Sequence, residues 1–303
     1  MNKSILIAAL AVTLLPSAHA QTAPASSGVL SNLSVNGTLD LESQYIFRGK
    51  KVTNAALQPS ANITYGNVAG GSITGYMWTS QPIGRAGAAA GPNENNEIDL
   101  GIRYDNTLPS NGAISYEVGA QMYWYPNKSG NVNWLSRSYE LHVGVGYDTT
   151  DLFNNMGWGK YNVQPMLTYY HDLILDSNTL NLQVASYTFD LSDWSGAKGL
   201  SLTPTATIGW TGLNRADGDQ DETPFIAGGF NGAHWSNSYI YYELDLELDY
   251  KPNNSGTTTF FTGVHYAGNN DGSGVTAFTA PATVQSPGSA NSIWFGFGIK
   301  FNQ

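Results

Sequence analysis

Residues 239–251 read Tyr-Ile-Tyr-Tyr-Glu-Leu-Asp-Leu-Glu-Leu-Asp-Tyr-Lys. Ile240, Tyr242, Leu244, Leu246, Leu248 and Tyr250 share one parity, and Glu243, Asp245, Glu247 and Asp249 share the other. A strand sends successive side chains to opposite faces, so this stretch is a ribbon with an aliphatic face and a carboxylate face. Tyr242 and Tyr250 bracket the leucine row, as if the strand met water at both ends. About twelve residues at about 3.3 Å each, tilted by about 45°, rise roughly 28 Å, close to the thickness of a bilayer core. The stretch predicts one stave of a membrane barrel.

The N-terminus agrees. Lys3, the apolar run Ile5 to Leu15, and the small-residue site Ala18-His19-Ala20 form a secretory signal peptide over 1–20. The run is too short to span a membrane as a helix. Residues 21–32, rich in Ala, Ser, Gly and Pro, read as a flexible lead-in. Residues 33–303 show no linker or composition break and read as one barrel domain. With no later apolar stretch long enough for a helix, only a closed barrel can satisfy every backbone hydrogen bond in lipid. The chain has no cysteine, so export to an oxidising compartment brings no disulfide framework. A formal net charge of −10 and the lack of a basic stripe argue against nucleic acid as a partner.

Alternation recurs along the chain. Strands are expected at about 33–47, 55–65, 72–80, 97–104, 114–124, 139–148, 160–169, 179–189, 200–210, 239–251, 257–266 and 291–301. The fold class is thus all-β: a transmembrane antiparallel up-and-down barrel of about twelve strands, an even number as in bacterial outer-membrane barrels. Pro59, Pro165 and Pro204 fall on the apolar parity, where a central strand should exclude proline. They are expected near strand ends or bulges. The odd connections include the long ones (81–95, 125–137, 213–237, 268–290) and the even ones, such as 66–71, 105–112 and 251–256, are mostly short, the asymmetry of long outside loops and short periplasmic turns. This predicts a periplasmic N-terminus in a Gram-negative outer membrane. The last strand, alternating Ile293, Phe295, Phe297, Ile299 and Phe301 with small or polar residues, fits a barrel's closing strand.

At Tyr45-Ile46-Phe47-Arg48-Gly49, and again at Leu57-Gln58-Pro59, the sequence resembles a bacterial family of porins of the TorF-like type. Those carry a Tyr-x-x-Arg-Gly signature at the end of the first strand and a proline in the second. The resemblance implies a small outer-membrane barrel with a pore role and no defined substrate. Nucleoside-specific channels of similar strand number are a more distant architectural likeness.

If aliphatic residues face lipid, the opposite parity faces a lumen. The expected pore lining is then Asp40, Glu42, Glu97, Asp99, Glu117, Glu140, Glu243, Asp245, Glu247 and Asp249, with Arg48, Arg103, Lys160 and Lys300 as bases. An excess of acids in a narrow channel concentrates cations. The plainer alternative is that acids and bases pair and keep a filled lumen polar. Arg48 either meets a solute at the lumen mouth or, the favoured reading, pairs with acids such as Glu42. Lys50 and Lys51 are solvated rim residues or lipid-phosphate contacts. In the segment 217–222, Asp217, Asp219 and Asp221 are a weak calcium candidate without the full loop pattern, so no metal is assigned. The segment 224–230 of the 213–237 loop is long enough to form a lid.

Catalysis has little support. Ser138 and His142 share parity but stand about 13 Å apart along a strand, too far for a nucleophile and its base. His171 is on the outward parity with no compelling partner, and His234 and His265 lack His/Cys ligand spacing. The expectation is a non-enzymatic porin, without cofactor, for small hydrophilic solutes, with cations preferred. Its partners are outer-membrane lipid and small polar or cationic solutes; oligomeric state and solute stay open. The alternative is a non-conducting envelope or surface barrel acting through its long loops.

Overall fold

A computed structural model describes residues 29–83, 96–108, 111–126, 137–158, 162–174, 177–192, 196–213, 238–252, 257–270 and 290–302. The expected signal peptide, Lys160, the calcium candidate Asp217–Asp221 and the lid segment 224–230 lie outside them, as do the side chains of Lys50 and Lys51. The strands are β1 (Leu33–Glu42), β2 (Tyr45–Phe47), β3 (Lys50–Thr53), β4 (Ala56–Val68), β5 (Gly71–Pro82), β6 (Glu97–Leu108), β7 (Asn111–Trp124) and β8 (Arg137–Tyr147). They continue with β9 (Val163–Asp172), β10 (Ser177–Ser186), β11 (Phe189–Asp190), β12 (Leu200–Leu213), β13 (Ser238–Tyr250), β14 (Thr258–Asn269) and β15 (Ala290–Asn302). A short helix, α1 (Thr150–Asn155), sits between β8 and β9. A 3-10 turn over Val29–Asn32 ends the lead-in, and the Asn67 side chain donates to Asn32 Oδ1 at 2.9 Å.

Twelve strands close into an antiparallel barrel: β1, β4 to β10 and β12 to β15. Each pairs with its neighbours in chain order, β15 returns to β1, and β10 joins β12 directly. Because every neighbour is antiparallel, odd and even connections emerge at opposite ends, here the long-loop end and the turn end. No described helix is long and apolar enough to cross a membrane, which says nothing of strands.

The wall explains the alternation. In β8, Ser138, Glu140 and His142 are buried while Tyr139, Leu141, Val143, Val145 and Tyr147 are exposed. The same outward exposure holds for Leu244 (52%), Phe295 (58%) and Ile102 (56%), on three separate strands. Joined round the barrel, such residues form an apolar belt far larger than a water-soluble surface tolerates, and its natural solvent is hydrocarbon. Outward aromatics border it at both ends. Tyr139, Tyr169, Trp210 and the Tyr242–Tyr266 pair stand toward the long loops; Tyr147, Tyr250 and the Tyr104–Tyr116 pair stand toward the turns. Such amphipathic rings favour the membrane–water boundary.

Pro165 is the third residue of β9, Pro59 the fourth of β4 and Pro204 the fifth of β12, and each marks a break in one ladder. Pro165 pairs with Val184 of β10, but the β8–β9 ladder stops at Met166. Pro204 pairs with Leu246 of β13, but the β10–β12 ladder stops at Thr205; β11 then resumes the pairing, shifted by one residue. Pro59 pairs with Leu39 of β1, while the β4–β5 register skips from Leu57 to Ser60. A missing N–H is tolerated where the neighbouring ladder is already interrupted.

The first strand departs most from expectation. It ends at Glu42, not Phe47, and residues 44–54 leave the wall as the β2–β3 hairpin. The wall resumes on both sides of the excursion: Ser43 N–H donates to the Phe295 carbonyl at 2.8 Å, and Ile83 N–H to the Ala55 carbonyl at 2.7 Å.

Candidate functional site

The hairpin turns at Arg48-Gly49, with φ of 50° and 72°. A two-residue hairpin loop of the type I′ class, which suits right-twisted strands, takes positive φ at both central residues. Glycine meets that at its position without cost, while Arg48 accepts a left-handed conformation that non-glycine residues rarely adopt. Space also demands glycine: a Cβ on Gly49 would stand 2.5 Å from the Gly268 carbonyl oxygen and 2.7 Å from Tyr241 Cβ. The turn is therefore pressed against β13 and β14, and Asn269 Nδ2 donates to the Gly49 carbonyl at 2.7 Å.

The other side of the turn reaches across the lumen. Arg48 donates to Glu140 Oε1 of β8 at 2.6 Å, and its guanidinium lies 5.1 Å from the Tyr170 ring of β9 and 4.7 Å from that of Phe47. The corrected partner of Arg48 is thus Glu140, on the far wall, and not Glu42, whose strand the hairpin has left. Phe47 meets Tyr123 of β7 edge-on at 6.0 Å, and Tyr45 meets Trp78 of β5 at 5.2 Å. Glu140, only 1% exposed, also accepts from the Tyr123 hydroxyl at 2.6 Å and from Gln121 Nε2 at 3.1 Å. Tyr76 donates to Gln121 at 2.6 Å, and Tyr125 to Glu97 Oε1 at 3.0 Å. A buried carboxylate needs this many donors because desolvation removes its water.

The carboxylates of β13 face inward on another sector. Lys300 of β15 donates to Glu247 Oε1 at 2.5 Å and Asp249 Oδ1 at 2.9 Å, neutralising the stripe near the turn end. Higher up, His265 of β14 stands opposite Asp245 in register, with Nδ1 2.6 Å from Asp245 Oδ1 and Nε2 3.8 Å from Glu42 Oε1. Its ring stacks on Trp294 at 5.0 Å with an interplanar angle of 16°. Asp40 and Glu42 share the inward face of β1, and Asp99 that of β6. Glu117 and Arg103 lie nearer the turn end, where Arg103 pairs with Asp105 at 3.1 Å on an exposed part of the wall. There a recess of about 310 Å³ opens, lined by Ser72, Asp105, Ser115, Glu117 and Met166.

Sequence reading missed the residues that hold the hairpin (Tyr45, Phe47, Tyr123, Tyr170, Tyr241, Asn269) and it set His265 aside. The signal for His265 was cross-strand and needed the register: closing β13 and β14 directly over the 251–256 turn would put residue 262 opposite 245, whereas the observed pairing of Tyr250 with Phe260 puts residue 265 there. Of the residues weighed for catalysis, Ser138 donates to Asp172 at 2.5 Å, His142 lies beside the Tyr170 ring at 5.5 Å, and outward-facing His171 has Asn178 at 3.0 Å. Ser138 thus meets a carboxylate of β9 and not His142.

Residues 25–195 match the model of a family described as "Bacterial protein of unknown function (Gcw_chp)", and the chain belongs to that family. No curated protein matches it by sequence. Among solved structures it is similar to an outer membrane channel from Pseudomonas putida F1, at 9% identity and a TM-score of 0.49, covering 93% of this chain and 100% of that one. It is also similar to LpxR from Salmonella typhimurium (9%, 0.47, 88% and 99%) and to the KdgM porin (10%, 0.43, 88% and 98%). At these identities the likeness concerns the fold alone.

Proposed function

We propose that this member of the Gcw_chp family is a bacterial outer-membrane channel for passive diffusion of small hydrophilic solutes, narrowed from its long-loop end by the inward β2–β3 hairpin. The observation that carries this reading is the hairpin tethered across a twelve-strand barrel. Barrels of about eight strands are filled by their own side chains, whereas wider ones enclose cavities or channels. A single two-stranded hairpin then sets a constriction. The apolar belt supports membrane insertion, and the exported precursor with its long odd-numbered loops supports an outer membrane with the N-terminus on the periplasmic side. The Tyr45–Gly49 signature resembling TorF-like porins forms the hairpin itself, which fits a pore role without catalysis.

Cations are the preferred ions in this proposal. Inward carboxylates outnumber the described inward cations Arg48, Arg103 and Lys300, two of which are occupied within the lumen by Glu140 and by Glu247 with Asp249. The expected pore-lining set from Asp40 to Lys300 enters the proposal on that basis. The purified barrel in a planar bilayer should give steady conductance steps, and its reversal potential in a salt gradient should show cation preference. Anion preference would overturn the selectivity.

A second reading is a closed envelope barrel acting through its loops. It draws on the packing around the hairpin, where Ser80, Glu97, Glu140 and Asn269 are at most 2% exposed. A folded but electrically silent barrel decides for that reading against the first.

A further inference from the structure

The acidic stripe of β13 divides into two halves. Lys300 answers Glu247 and Asp249. Around Glu243 and Asp245 no lysine or arginine is paired among the described residues, and the nitrogen present is the imidazole of His265. One donor atom from each of Glu243, Asp245 and His265 lies within 4.8 Å of the others. Two metal–ligand bonds of about 2.1 Å allow donors up to about 4.2 Å apart, so small side-chain rotations would close the set around one ion.

A second observation points into the same place. Glu42, on β1 across β15 from His265, is 7% exposed, and its Oε2 accepts no hydrogen bond. Its other oxygen faces His265 Nε2 at 3.8 Å. Asp40, two residues earlier on the same face, brings its carboxyl within hydrogen-bonding reach of Glu42, so two acids crowd together with no lysine or arginine paired to either among the described residues. A buried carboxylate oxygen without a donor is costly, and a cation removes that cost.

We propose that Glu42, Glu243 and the Nε2 edge of His265, with Asp245 holding the ring from Nδ1, form a binding site for a divalent transition-metal ion on the lumen wall. The donor set selects the class: imidazole with carboxylates suits zinc, copper and nickel, whereas calcium and magnesium take oxygen ligands alone. The 2.6 Å hydrogen bond to Asp245 occupies Nδ1 and fixes the ring, which leaves Nε2, 3.8 Å from Glu42 Oε1, as the edge that can share an ion with a carboxylate. Stacking on Trp294 fixes the ring plane and places an indole beside the ion. Gly263 of the same strand gives the ring room, because a Cβ there would stand 2.5 Å from His265 Nε2. The site depends on the barrel wall and not on conduction.

The test uses the full-length folded barrel in detergent, with zinc chloride followed by calorimetry and nickel chloride by tryptophan fluorescence. Wild type should bind one zinc ion per chain, with calcium chloride giving no comparable heat, and nickel should quench part of the emission. Asp245→Asn, which loosens the hold on the imidazole, should weaken zinc binding by about 10–100-fold. His265→Gln should abolish binding, and Glu42→Gln should weaken it strongly; Trp294→Phe should remove the nickel-quenched emission while keeping zinc heat. Should His265→Gln fail to fold, Glu42→Gln and Glu243→Gln carry the same test, since both keep side-chain size. Unchanged zinc affinity in those two variants, or calcium binding as tight as zinc, overturns the proposal. A silent bilayer together with intact zinc binding would leave the site standing and remove only the channel reading.

Discussion

Two sectors of the same lumen treat their carboxylates in opposite ways. On the β6–β8 wall, Glu97 and Glu140 are sealed under the hairpin by tyrosine hydroxyls and the Arg48 guanidinium. On the wall from β13 round to β1, Glu247, Asp249, Asp245 and Asp40 meet fewer donors and more open space, with Lys300 and His265 as their cations. The difference teaches that lumen acids do two jobs. A desolvated carboxylate matched by several donors, as Glu140 is by Arg48, Tyr123 and Gln121, is structural. One that keeps solvent contact contributes little to stability and is left to set the field that a solute meets.

The comparison breaks most directly at Arg48. Arg48→Met leaves Glu140 buried without its cation and should destabilise the barrel by about 3–5 kcal/mol, read as a lowered urea-unfolding midpoint in detergent. Adding Glu140→Leu should recover most of that loss, because a buried pair replaced as a unit is often neutral. If the single and double variants are equally unstable, the pair is not what anchors the hairpin.

Next in size is Gly49→Val. A β-branched residue at φ of 72° meets backbone strain of about 1–3 kcal/mol, before its clash with the Gly268 carbonyl. The hairpin should leave its seat, and single-channel conductance should rise. Unchanged conductance would show that the hairpin is not the constriction.

On the open wall the same kind of change should do the reverse. Lys300 is 28% and Glu247 33% exposed, so Lys300→Met should cost no more than about 1 kcal/mol. It should instead shift the reversal potential toward stronger cation preference. A stability loss as large as that of Arg48→Met would erase the distinction between the two walls.

The smallest effect is expected outside the membrane, just past β8. Asp148 accepts from the Thr150 amide at 2.9 Å and hydroxyl at 2.5 Å, and these hydrogen bonds hold its carboxyl below the usual range. A lowered folded-state value means that its stabilisation is present above the unfolded-state value and is lost as pH falls through the folded one. Asp148→Asn should therefore be slightly less stable than wild type at neutral pH. The two should converge in acid, in unfolding midpoints measured across that range.

Much of the barrel was legible because a strand's period is local. The parity of 239–251 needs no partner to be read, and it separates the leucines, of which Leu244 and Leu246 are exposed in the barrel, from the acids between them. The strand count followed from repeating that reading, whereas the connection lengths do not alternate strictly: β8 to β9 is long and β9 to β10 is short. The hairpin was not legible for the same reason. Leu39, Leu41, Tyr45 and Phe47 keep one parity through the point where the chain leaves the wall. Nothing local separates an inward-folded strand from a continued one. The prolines, too, were read as defects of a strand, when the relevant fact was which neighbour's ladder each one faces.

By itself, then, the sequence determined a chain of alternating strands with an apolar face and an acidic face, because side-chain direction along a strand depends on position alone. Tertiary structure decided which charges meet. Arg48 finds Glu140 rather than Glu42, and His265 finds Asp245 and Glu42, because barrel closure and register set distances between residues far apart in the chain. The acids of 239–251 share one face by sequence; which of them stay open to solvent and ions was settled only when the wall closed around them.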